Sequence, residues 1–205
     1  MHNRRQFIHN GSLGGIGLLI EACSSRNCSI PTLTKKTYNE IVGYTPDVQV
    51  KEMEAARDTL VTNDRNLTSL LETYIPQLRG TSTTDSAFSA LAFTYMALEE
   101  ECKYGQSRTI SGVPIISNEV RDRIIDYSKN DVLVDKLKEA RSHLIKRDPL
   151  LKDLLQLYVG RVGSDSQNAA ISAVSFLYMA LLKAKSEDVK TPTKSPISNE
   201  IATMA

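Results

Sequence analysis

The chain has 205 residues with 25 Lys and Arg against 24 Asp and Glu, a formal charge of +1, and it lacks Trp. That balance excludes the basic footprint that nucleic-acid binding needs and a polybasic membrane patch. With three His and three Cys in all, no Glu-x-x-His or Cys-x-x-Cys spacing is present, so no metal centre or cofactor is expected.

The first elements in chain order concern address. Arg4 and Arg5 precede Phe7 and a short Gly-containing apolar stretch that ends at Leu19-Ile20-Glu21-Ala22-Cys23. A cationic start, a short apolar core and small residues before a cut make a secretory signal. The core is well short of the roughly 20 apolar residues a span requires. The Arg-Arg-x-Phe pattern resembles the bacterial twin-arginine export signal, with Asn3 where that family carries Ser or Thr. Ile20, Ala22 and Cys23 resemble a lipobox, with Glu21 where a small or apolar residue is usual. The resemblance implies a signal peptide over residues 1–22, acylation of Cys23 and residence at the periplasmic side of the envelope. Ser24 after the cysteine is similar to lipoproteins sent to the outer membrane. Without residues 1–22, which hold Arg4, Arg5 and Glu21, the mature chain carries 23 cationic and 23 acidic residues and is formally neutral.

Residues 23–36 read as a tether. The body then repeats. Ala87-Phe-Ser-Ala-Leu-Ala-Phe-Thr-Tyr-Met-Ala-Leu98 returns as Ala170-Ile-Ser-Ala-Val-Ser-Phe-Leu-Tyr-Met-Ala-Leu181, with eight of twelve positions identical. Upstream, residues 56–74 align without gaps on 140–158: Ala56/Ala140, Arg57/Arg141, Leu60/Leu144, Asp64/Asp148, Leu71/Leu155 and Tyr74/Tyr158 among them. The offset is 84 (57 to 141) and becomes 83 (95 to 178) after one loop residue. Two helical units are predicted, over 37–104 and 117–186, joined by a linker over 105–116 and followed by a mobile tail over 187–205.

Within unit 1, a short helix is expected over 38–44, another over 47–61, a third capped by Asp64, and a long apolar one from Asp85. In unit 2 a helix over 118–127 leads to one started by Asp148-Pro149 and a long one from about Asp165 to Lys185. The echo of residues 114–120 in 196–201 suggests the stub of a third unit or a short helical start used when a partner is present. The fold class is all-α: two tandem copies of a three- to four-helix unit, forming a pseudo-symmetric helical bundle or a short α-solenoid.

Tyr95, Met96, Tyr178 and Met179 are read as core, with a pocket at the repeat interface as the functional alternative. Cys28 and Cys102 form one expected disulfide; a Cys23–Cys28 pair and a buried thiol at Cys102 stand beside it. Arg57 with Asp64 and Arg141 with Asp148 are expected to pair, Glu99, Glu100 and Glu101 to lie solvated at a helix end, and His143 to be exposed. No catalytic constellation is visible. The leading expectation is a lipid-anchored, non-catalytic scaffold or protein-binding module. Its rivals are an accessory subunit of an exported redox enzyme and a carrier of small apolar ligands.

Overall fold

The computed structural model describes residues 28–77, 83–106, 108–130, 132–159 and 166–188. The export signal with Arg4, Arg5 and Phe7, the acylation candidate Cys23 and the 196–201 echo lie outside them. The architecture is an all-α bundle. Among the described residues it has eight helices: α1 Lys35–Val42, α2 Pro46–Asn63, α3 Arg65–Tyr74, α4 Thr83–Tyr104, α5 Asn118–Lys129, α6 Leu133–Arg147, α7 Pro149–Val159 and α8 Ser166–Asp188.

The helices start where the sequence offers side-chain acceptors. Thr34 Oγ1 takes the Thr37 amide and Ser117 Oγ the Val120 amide. Thr45 caps α2 ahead of Pro46, whose missing N–H costs nothing in a first turn. Asp64 ends α2 and caps α3 through Leu67 N at 2.9 Å, and Asp148 ends α6 and caps α7 through Leu151 N at 2.8 Å. One aspartate thus makes each helix-to-helix corner.

Both corner carboxylates do a second job. The free oxygen of Asp64 accepts from Ile116 N at 3.0 Å, and that of Asp148 from Leu33 N at 2.7 Å. Each acceptor therefore holds the chain just ahead of a cap residue, Ser117 or Thr34, in the other half of the sequence. The pairings expected with Arg57 and Arg141 do not form, because backbone amides occupy both oxygens.

Helices α4 and α8 form the central pair; α2 packs chiefly on α8 and α6 on α4. Each half thus lends its second helix to the long helix of the other. Leu67, Leu98, Leu151 and Leu181 are among the fully buried residues, each worth about 1.5–3 kcal/mol of burial. Truncating Leu67 to Ala is expected to cost about 2–5 kcal/mol. Aromatic pairs sit at corresponding places: Tyr74 with Phe93 at 5.0 Å between ring centres, and Tyr158 with Phe176 at 4.0 Å.

Two expectations need correction. The tether is part of the body from Cys28 onward, since Ile30 and Leu33 are buried and Leu33 is tied to Asp148. The linker contains a hairpin, Thr109–Ile110 paired antiparallel with Val113–Pro114, and Val113 and Ile116 are buried. Its two-residue loop puts Ser111 and Gly112 at positive φ (48° and 81°), the turn that matches strand twist. Gly112 is further required because a Cβ there would run into the Lys185 stem.

Candidate binding pocket

Tyr95, Met96, Tyr178 and Met179 are all buried and belong to one core cluster with Leu98 and Leu181. They pack the α4–α8 seam, and Met179 also lines a groove with Ala56 and Thr59 of α2 and Lys183 of α8. Burial pushes the Tyr95 hydroxyl up to about 12 and that of Tyr178 higher still. The Tyr178 hydroxyl is buried with no hydrogen-bond partner. Cys28 and Cys102 are joined by a disulfide.

The acidic run at the end of α4 is not solvated. Glu100 and Glu101 are 2% and 0% exposed. Glu101 accepts from Gln106 N at 2.8 Å and from both the amide and the hydroxyl of Ser117 at 2.8 Å. Any side chain at Gly105 would collide with that carboxylate. An acid at a helix C-terminus opposes the dipole. Here the capped N-terminus of α5 and its charge-assisted hydrogen bonds offset that cost. Asp64 and Glu101 together clamp residues 116–117, and the resulting burial pushes Asp64 up to about 6. His143 is half-buried, with Nδ1 3.1 Å from Glu99 Oε1.

Sequence reasoning missed these clusters because their partners lie far along the chain: Glu100 meets Arg123 at 3.2 Å and Lys136 at 3.8 Å. The Ser-Gly pair between Ile110 and Val113 was the available hairpin signal.

A concave, largely apolar site lies where α2, α3 and α8 meet. Arg57, Leu60, Val61, Thr68, Leu71, Glu72, Ile171, Val174 and Ser175 are among the residues around a cavity of about 220 Å³. A second cavity, of about 40 Å³, is formed by α4, α6 and α7 from residues at the repeat offset. Arg141, Leu144, Ile145, Lys152, Leu155 and Gln156 answer the α2–α3 residues. Phe88, Leu91 and Ala92 answer Ile171, Val174 and Ser175. In the smaller cradle Phe88 is one of the lining side chains, with the Arg141 guanidinium 5.6 Å from its ring centre. Ile171 holds the corresponding place in the first.

Among the described residues no group of three or more His, Cys, Asp or Glu side chains is arranged to hold a metal ion. No helix among them is long and apolar enough to cross a membrane. Compared with protein-family models, curated proteins and solved structures, the chain has no match.

Proposed function

We propose that this chain is an exported, lipid-anchored, non-catalytic helical module that captures a protein partner at the bacterial envelope. The observation that carries the binding role is the inequality of the two cradles: the one lined by Phe88 leaves about 40 Å³, the one lined by Ile171 about 220 Å³. An open apolar pocket with a polar rim is the default contact site of a fold otherwise packed to its centre. The sequence repeat supports this reading, since a duplicated core would supply stability while one copy of a cradle diverges.

The export part rests on Arg4, Arg5, Phe7 and Cys23. Acylation contributes about 0.8 kcal/mol per buried methylene, and more than one chain holds a protein on a membrane. The carrier reading needs a cavity walled by Tyr95, Met96, Tyr178 and Met179, which pack together in the core. Small-molecule sites usually start at about 300 Å³, above the 220 Å³ of the open pocket. A single anchoring side chain fits this volume better.

The test is photo-crosslinking in the intact envelope from a reactive residue placed at Thr68 on the pocket rim, in the wild-type and Cys23→Ala backgrounds. The expected result is one defined adduct that disappears in Ile171→Phe, and loss of membrane retention in Cys23→Ala. An adduct indifferent to Ile171→Phe sinks the binding role. Retention of Cys23→Ala in the membrane fraction sinks the anchor.

A further inference from the structure

The smaller cradle shows what the open one accepts. Leu91, Leu144 and Leu155 line it beside the benzyl group of Phe88, and the Arg141 guanidinium lies 5.6 Å from that ring's centre. The open pocket offers Leu60 and Leu71 in the place of Leu144 and Leu155, Val174 in that of Leu91, and Arg57 in that of Arg141. We infer that the α2–α3–α8 pocket is a receptor for one aromatic side chain presented by a partner polypeptide. This inference rests on the binding-module reading and adds the chemistry of the anchor.

Size, polarity and cover agree. A dry apolar cavity of roughly 150 Å³ takes a benzene ring, so 220 Å³ admits a ring with its methylene. The rim hydroxyls already have partners: Thr68 Oγ1 donates to Asp64 O at 2.9 Å and Ser175 Oγ to Ile171 O at 3.0 Å. They therefore ask no hydrogen bond of an incoming group and leave the interior suited to a ring. Arg57 is exposed and free to lie over that ring as Arg141 lies over Phe88. An exposed guanidinium over an aromatic face favours it by about threefold over an aliphatic group of similar size. Aromatic anchors in desolvated pockets are also what dominates protein interfaces.

The experiment follows methyl signals of Leu60, Leu71, Ile171 and Val174 by NMR while N-acetyl-phenylalaninamide is titrated to millimolar concentration, with N-acetyl-leucinamide as comparison. Shifts confined to those methyls, with at least about threefold tighter binding of the phenylalanine amide, are expected. Ile171→Phe should abolish them. Phe88→Ala should open the second cradle and add shifts at Leu91, Leu144 and Leu155; this gain guards against mistaking a folding defect for a filled pocket. Equal binding of the two amides, or none, overturns the aromatic anchor. A pocket-dependent cross-link in the envelope alongside a silent titration removes the anchor and leaves the binding module standing. A response to the amide without any cross-link removes the partner. A concentration-dependent dimer that Ile171→Phe abolishes overturns the inference in favour of a second copy of the chain.

Discussion

Lys183 on α8 and Glu100 on α4 stand at corresponding places with opposite charge. Lys183 Nζ lies 3.1 Å from Glu52 and 3.7 Å from Glu40, and 5.7 Å from the Tyr44 ring centre. Glu100 lies 3.8 Å from Lys136 and 3.2 Å from Arg123, and accepts from the Tyr127 hydroxyl at 2.5 Å. Glu40 and Tyr44 lie 83 residues before Arg123 and Tyr127, and Glu52 lies 84 before Lys136, one residue being gained between the two helices in the second half. Every sign is reversed while the tyrosine is kept. Attraction depends on the product of the charges, so inverting all of them preserves the cluster.

The reversal yields a direct prediction. Glu100→Lys alone places a third cation beside Arg123 and Lys136 at a site 2% exposed, which is expected to cost about 3–5 kcal/mol. Adding Arg123→Glu and Lys136→Glu rewrites the cluster in the polarity of its counterpart and should recover most of that loss. Urea midpoints of the single and triple variants decide it: a triple variant no more stable than the single one defeats the equivalence of the two clusters.

Asp64 makes stability depend on pH. Loss of hydration raises its carboxyl to about 6; the amides of Leu67 and Ile116 pull it down less strongly, and Glu101 nearby pushes it further up. The native state therefore holds the proton more tightly than the unfolded chain, whose carboxyl titrates near 3.9. The stabilisation is full below about pH 4 and is lost as pH rises through about 6, a change on the order of 3 kcal/mol. Asp64→Asn keeps a helix-capping oxygen and removes the titration. The difference between wild-type and variant urea stabilities, measured at pH 4, 5, 6 and 7, should drift against the wild type with rising pH. A flat difference counts against the shift.

The buried hydroxyl of Tyr178 has no partner, and an orphaned polar group costs roughly 1–3 kcal/mol. Its ring fills the α4–α8 seam, which Phe fills equally well. Tyr178→Phe is therefore expected to raise stability by about 1 kcal/mol, a gain readable as a higher thermal midpoint. Destabilisation by the substitution would mean that the hydroxyl is satisfied.

How much of the structure the residues disclose depends on how local the signal is. Asp64 and Asp148-Pro149 announce helix starts within four residues, so the caps and the long helices were legible. Tyr95 and Tyr178 sit in apolar runs, and their burial followed from those runs. The second hydrogen bonds of the two aspartates were not legible. Asp64 reaches 52 residues along the chain to Ile116, and Asp148 reaches 115 back to Leu33, distances over which side-chain type alone sets no partner. Glu100 and Glu101 were read as solvated because acids rarely bury without partners. Theirs are Arg123 on α5, Lys136 on α6 and the backbone at Ser117, which only the tertiary fold brings near. The open pocket was invisible for a related reason. A single Phe-to-Ile difference between residues 88 and 171 reads as an ordinary apolar exchange until the two cradles are compared.

The disulfide joins stability to compartment. Cys28 and Cys102 are 74 residues apart, and closing a loop of that length removes about 4 kcal/mol worth of unfolded-chain entropy. The closed loop holds α1, α2 and α3 and most of α4, and Cys28 lies just before Ile30 and Leu33, which the body buries. Opening the bond should therefore loosen the N-terminal strap on Asp148 as well as enlarge the unfolded ensemble. Cys28→Ser with Cys102→Ser is expected to lower stability by up to about 4 kcal/mol, and reductant should bring the wild-type chain to the same urea midpoint. A chain produced without residues 1–22 in a reducing compartment should behave like the double variant until it is oxidised, since such bonds persist only under oxidising conditions. If the midpoint ignores reductant, the bond contributes nothing to folding.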